Sequence, residues 1–287
     1  MKALERYKVG ASDGDTGKIS DFYFDDLRWT IRYLVADTSG FWEGPHRVLV
    51  SPISFREVDS EGNSFRLSLP IDKLKHAPRA DLDKPVSRQH EANFNRYYGW
   101  APYWGEAGCM SWGLASGPSP VPGWDEARDG VQAEAGDSHL RSIKEVTHYE
   151  VHGSDGHIGR IDDFLVDDET WDIRYVVVDT SPWWVGKHVL VSPSWVTGVS
   201  WSDRKLFFDL TRAAIESSPE YVPGHAIARS EEVRLHSHHH RPGYWVPSES
   251  DGMPKTAVDL LDERYARGDI TREEYNLVRQ DLAARSA

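Results

Sequence analysis

Two acidic pairs, Asp25-Asp26 and Asp167-Asp168, stand 142 residues apart in matching sequence settings. Paired carboxylates can share a proton and so serve acid–base chemistry. Each pair also ends an alternating polar–apolar stretch where the chain must turn, and Asp favours turns by accepting from nearby backbone N–H groups. A turn role is expected. Asp13-Gly14-Asp15-Thr16-Gly17 resembles the start of a calcium loop, which needs oxygen ligands at alternate positions. Its copy carries His157 where Asp15 stands, and no Glu follows at the required spacing, so it reads as a plain β-turn.

His236, His238, His239 and His240 could hold a transition metal through neutral imidazoles. His238 and His239 align with Tyr97 and Tyr98 of the first copy, however, so such binding is expected to be adventitious and no metal or cofactor is assigned. Cys109 is the only cysteine, which rules out an intramolecular disulfide, and nothing beside it suggests an activated thiolate. No serine elbow, phosphate-cradling glycine loop, haem motif or His-Glu-x-x-His occurs. No constellation converges on catalysis, and the chain is expected not to be an enzyme.

The better binding candidates are aromatic. Phe41 and Trp42, followed by His46, fall in the loop after the third expected strand; Trp183 and Trp184, followed by His188, repeat them. Tryptophan in a loop offers much contact area at little entropic cost. Packing inside the molecule is the alternative role for these rings.

These residues sit within an internal repeat. With Tyr7 laid on Tyr149, 21 of the 38 positions through Gly44 are identical. One residue then drops out, and from Val48-Leu49-Val50-Ser51-Pro52 onward the offset is 141. It persists to Tyr103-Trp104, which meet Tyr244-Trp245, so each unit runs past its strands into an aromatic tail: 7–104 and 149–245. Within a unit, Lys8-Val9, Lys18 to Asp25, Trp29 to Asp37, Arg47 to Val50, Ile53 to Val58 and Phe65 to Leu69 read as strands. Pro70 opens a short helix over Ile71 and Leu74. Six short strands with close turns predict a small closed barrel. Residues 105–146 are rich in Gly, Ala, Ser and Pro and read as a linker.

The net charge is −13. Residues 1–104 are neutral, with 15 basic and 15 acidic side chains, so the excess lies in the rest. No Lys/Arg cluster offers the footprint that nucleic acid needs. No apolar run approaches the roughly 20 residues of a transmembrane helix, and the charged N-terminus does not read as a signal peptide. A cytoplasmic location is expected.

The run of Asp-Gly-x-x-Gly-Lys/Arg-Ile, an Asp-Asp turn, Trp-x-Ile-Arg-Tyr and Val-Leu-Val-Ser-Pro resembles PRC-barrel domains, in both copies and over roughly two-thirds of the chain. The resemblance implies a mainly β fold: two PRC-type barrels in tandem, each with a short helix and an aromatic tail. The family includes the photosynthetic reaction-centre H subunit and the C-terminal domain of a ribosome-maturation factor. The membrane helix of the first and the different leading barrel of the second are absent here.

At the C-terminus, Val258, Leu261 and Tyr265 share one helical face before Gly268. Thr271 to Glu274 forms a capping box, and Tyr275, Val278 and Leu282 share the next face. This hairpin resembles the SHOCT motif, which implies assembly; Leu261, Tyr265, Tyr275 and Val278 are its candidate contacts.

The expected order is barrel 1 (1–82), aromatic arm (83–104), linker (105–146), barrel 2 (147–222), His/aromatic arm (223–250) and α-hairpin (251–287). The function this implies is non-catalytic binding or scaffolding in the bacterial cytoplasm, linked to stress or envelope physiology. Its partner is another protein or the chain itself, as a homo-oligomer or by intramolecular barrel pairing. A reaction-centre H-subunit-like role in electron or proton transfer stands second, and a metal-dependent enzyme third.

Overall fold

The computed structural model describes residues 1–5, 7–41, 47–59, 62–78, 86, 88–100, 139–181 and 187–246. The chain divides into two compact units, Met1–Ala226 and Ile227–Ala287. The first holds both sequence repeats up to their last strands. The second holds the helix of the His/aromatic arm.

In the first repeat the strands are β1 (Lys8–Ala11), β2 (Gly14–Asp25), β3 (Thr30–Asp37), β4 (Arg47–Val50), β5 (Phe55–Asp59) and β6 (Ser64–Leu67). Helices α1 (Ile71–Lys75) and α2 (Arg88–Tyr98) follow. Next come β7 (Leu140–Ser142) and α3 (Ile143–Val146). The second repeat comprises β8 (Glu150–Gly153), β9 (Gly156–Val166), β10 (Ile173–Asp179), β11 (His188–Val191), β12 (Val196–Ser200) and β13 (Lys205–Phe208). It ends in α4 (Arg212–Glu216), β14 (Glu220–Tyr221) and α5 (Arg229–His238).

The two sheets share one plan. The first runs β4-β3-β2-β1-β6-β5, with β7 added to β2; the second runs β12-β13-β8-β9-β10-β11-β14. In each, the first strand pairs parallel with the sixth: Val9 lies opposite Phe65, and Val151 opposite Leu206. Core positions also repeat. Val9, Ile19, Phe22, Leu34, Leu49 and Phe65 are buried, and so are Val151, Ile161, Phe164, Val176, Leu190 and Leu206. Each such side chain contributes about 1.5–3 kcal/mol on burial.

Among the described residues the expected closed barrel is not formed. No ladder joins β4 to β5, or β11 to β12, so each sheet is an open path. β4 and β5, like β11 and β12, are consecutive in the chain and connected by a 3₁₀ turn, Pro52–Ser54 or Pro193–Trp195. That turn uses its own hydrogen bonds, Ser54 N–H to Ser51 O at 3.0 Å and Trp195 N–H to Ser192 O at 3.0 Å. Proline has no N–H to offer a ladder. The gap falls where the local chemistry favours a corner.

Residues 139–146, placed in the linker by composition, are ordered. Strand β7 pairs with the end of β2, Ser142 opposite Tyr23 and Leu140 opposite Asp25. The aromatic tail of the first repeat contains α2, whose residues Glu91, Phe94, Asn95 and Tyr98 form one buried stripe. Gly99 ends that helix at φ +75°, a conformation open to glycine without strain.

The two repeats interlock around an internal two-fold relation. Ile31 N–H donates to Trp171 O at 2.8 Å, and Ile173 N–H donates to Trp29 O at 2.7 Å. Thr30 and Asp172 form the bridge between them, supported by Thr30 Oγ1 to Asp172 Oδ1 at 2.7 Å. The leading segments swap in the same way. Lys2 N–H donates to Asp163 Oδ1 at 2.9 Å, and its repeat-equivalent Lys144 N–H donates to Asp21 Oδ1 at 3.2 Å.

Candidate functional site

The repeated acids are committed to structure. Asp25 Oδ1 accepts from Leu27 N–H at 3.0 Å and from Arg28 N–H at 3.3 Å, and its other oxygen lies 3.5 Å from Arg32. Asp167 repeats the arrangement with Glu169 and Thr170 N–H, both at 3.0 Å, and with Arg174 at 2.9 Å. Asp26 accepts from Arg141 Nε at 2.8 Å; burial outweighs this partner and raises its pKa. Asp25 and Asp167 thus close turns that an arginine also holds.

The calcium-like segment is equally occupied. Asp13 Oδ1 caps α1 by accepting from Ile71 N–H at 2.8 Å, and Asp155 Oδ1 caps α4 through Arg212 N–H at 2.8 Å. Thr16 donates to Val9 O at 2.8 Å.

Of the loop aromatics, Phe41 is 51% exposed at the end of a turn closed by its N–H on Thr38 O. His188 lies within β11, its Nε2 3.5 Å from Asp162 Oδ2. Trp42, His46, Trp183 and Trp184 lie outside the described residues, as do Leu261, Tyr265, Tyr275 and Val278 of the expected hairpin. Between the swapped leading segments is a cleft of about 660 Å³ lined by Lys2, Glu5, Lys144, Thr147 and His148. Lys2 is already paired with Asp162 at 2.5 Å.

Among the described residues, the histidine run does not bring three ligand atoms within 4.8 Å of one another. His236 is buried, shares a hydrogen bond with Pro242 O through Nδ1 at 2.9 Å, and packs edge-on against Trp245. His238 and His239 meet ring to ring at 4.8 Å. Burial and the neighbouring His238 push His239 down to about 4.

A group that spacing alone did not single out does converge. Glu150, His152 and His157 bring one ligand atom each to within 4.8 Å of one another. Glu150 and His152 are two apart on β8 and therefore share a face. His157 is the cross-strand partner of His152 on β9. Glu150 Oε2 and His152 Nε2 are 3.2 Å apart, and that hydrogen bond lowers the Glu150 pKa. Burial, then the neighbouring His152, lowers the pKa of His157 and favours its neutral imidazole. The usable signal was Glu-x-His, four residues and then His, wrapped around Gly-Ser-Asp-Gly. It needs the hairpin register before it can be read.

Among the described residues no helix is long and apolar enough to cross a membrane. No curated protein matches the chain. The segment that carries β7 through the start of α4, residues 140–213, matches the family described as PRC-barrel domain.

Proposed function

We propose that the chain is a non-catalytic binding and scaffolding protein, built from two PRC-type modules that pair within one chain and recruit a protein partner. PRC-barrel domains are often involved in protein interactions. The observation that carries the reading is the fate of the repeated polar residues. Asp13 and Asp155 cap helices, and Asp25 and Asp167 close turns onto arginines. Each of these acids spends an oxygen on backbone N–H groups of its own turn or of a helix start, which is a structural role.

The turn that ends in Phe41 is the proposed contact; Trp42, Trp183, Trp184 and the 251–287 segment are proposed to contribute on their sequence alone. Pairing inside the chain stands in for a dimer of single modules. The setting is the bacterial cytoplasm.

The test is site-specific photo-crosslinking with the full chain. A photoreactive side chain at position 41 or 184 should give one discrete protein adduct in lysate of the native host. The same probe at Leu27, which is 78% exposed in the β2–β3 turn, should give none. Equal labelling from all three positions would overturn the assignment.

A further inference from the structure

We propose that Glu150, His152 and His157 form a site for a divalent transition-metal ion of the zinc, cobalt or nickel class. Two imidazoles and one carboxylate are a donor set for these borderline ions.

The geometry is close to what an ion needs. Donors about 2.0–2.2 Å from a metal lie roughly 3.0–3.6 Å from one another. Glu150 Oε2 and His152 Nε2 already stand 3.2 Å apart, so an ion would replace the proton between them. The ring centroids of His157 and His152 are 5.2 Å apart, and a ligand atom of His157 lies within 4.8 Å of those of His152 and Glu150. The platform is stiff. All three residues sit on one antiparallel hairpin, whose turn is held to α4 by Asp155 and the Arg212 N–H. Phe207 packs on His152 at 5.5 Å and limits its rotation. The side chains of Glu150 and His152 are 42% and 21% exposed, which leaves a path for the ion and room for water as a further ligand.

The first repeat shows the same hairpin without the site. Lys8, Gly10 and Asp15 stand where Glu150, His152 and His157 stand, and Arg66 replaces Phe207. Arg66 lies over Gly10, where an added Cβ would come within 2.9 Å of its guanidinium, and reaches Asp15 at 3.9 Å. One hairpin is therefore filled by an arginine–carboxylate pair. Its copy presents three ligands and an aromatic wall. Arg160, across from Glu150, and Lys205, beside it, oppose an ion and weaken its binding.

Calorimetric titration of the untagged full chain with zinc alone tests the site. Wild type and a His238→Ala/His239→Ala/His240→Ala variant should each bind one zinc equally well. His152→Ala and His157→Ala should lose about tenfold to a hundredfold in affinity, at least the effect of removing an outer-shell partner. A second readout needs no variant. Zinc should protect His152 and His157 of the wild type from acylation by diethylpyrocarbonate, read by mass spectrometry. Unchanged affinity in both single variants, loss of binding in the arm variant, or no protection at His152 and His157 would each overturn the proposal.

Discussion

Trp29 and Trp171 are bonded into each other's repeat, each lending its carbonyl to the isoleucine two residues past the other, at 2.7 and 2.8 Å. Both adopt positive φ, 55° and 61°, which a bulky residue tolerates only when its surroundings hold it there. Trp171 is held by Phe55 and Phe65 of the first sheet, with ring centroids at 4.8 and 6.0 Å. Its side chain is thus part of the other repeat's core.

Trp171→Ala should therefore cost about 3–5 kcal/mol, the range for losing a large buried aromatic. The loss should appear in both repeats, because the ring belongs to one and packs in the other. Chemical denaturation of the wild type, followed by fluorescence and by circular dichroism, should show one transition for Met1–Ala226. A variant in which the second repeat alone is weakened would contradict the interlock.

Helix α2 is tied down by a buried acid. Glu91 is fully buried, accepts from the Tyr33 hydroxyl at 3.2 Å, and has His139 Nε2 at 3.2 Å from its other oxygen. Glu91→Ala should cost about 3–5 kcal/mol, as for breaking a buried pair. Glu91→Gln, which keeps an acceptor, should cost about 1–3 kcal/mol. Urea titrations of the two variants should rank them in that order.

The repeated glycine of the Asp-Gly-x-x-Gly motif is set by backbone approach. A Cβ on Gly17 would lie 2.3 Å from Asp37 O, and one on Gly159 would lie 2.2 Å from Asp179 O. Neither carbonyl can swing aside without breaking the β2–β3 or β9–β10 ladder. Gly17→Ala and Gly159→Ala should each destabilise by about 1–3 kcal/mol or more, measured by thermal or urea unfolding.

Two carboxylates should give opposite responses to acid. Burial raises Asp167, but N–H bonds from Thr170, the Arg174 guanidinium and the Glu169 N–H outweigh it and hold the pKa below 3.8. Its stabilisation is complete above 3.8 and is lost as pH falls through the depressed folded value. Burial raises Asp21 above 3.8 despite bonds from Ser142, Phe22 and Lys144. Its contribution favours folding at low pH and is lost as pH rises from 3.8 through the raised folded value. Urea unfolding from about pH 3 to 6 should show the deficit of Asp167→Asn shrinking on acidification. Relative to wild type, Asp21→Asn should gain stability as pH rises through its window.

Much of the local structure was legible in the chain. Alternation in Lys18–Asp25 marked a half-buried strand, and Pro70 marked the start of α1, because these patterns depend on neighbours within a few residues. The corner at Pro52–Ser54 was not read: Ile53 was placed in a strand that begins only at Phe55. Residues 139–146 were read as linker on composition, yet β7 is ordered by an edge that the first repeat supplies. The same limit applied to the candidate ligands. The visible cluster of histidines, 236 to 240, includes a ring contact between His238 and His239, but His236 is spent on Pro242 O.

The sequence by itself determined that there are two copies, where their strands and turns lie, and that their repeated acids belong in turns. Those are short-range properties of side-chain period and turn chemistry. Tertiary structure alone decided that the copies interlock through Trp29 and Trp171, and that Glu150, His152 and His157 meet. Both results depend on which strand edge faces which and in what register, and residues far apart or across a turn acquire that relation only when the sheets form.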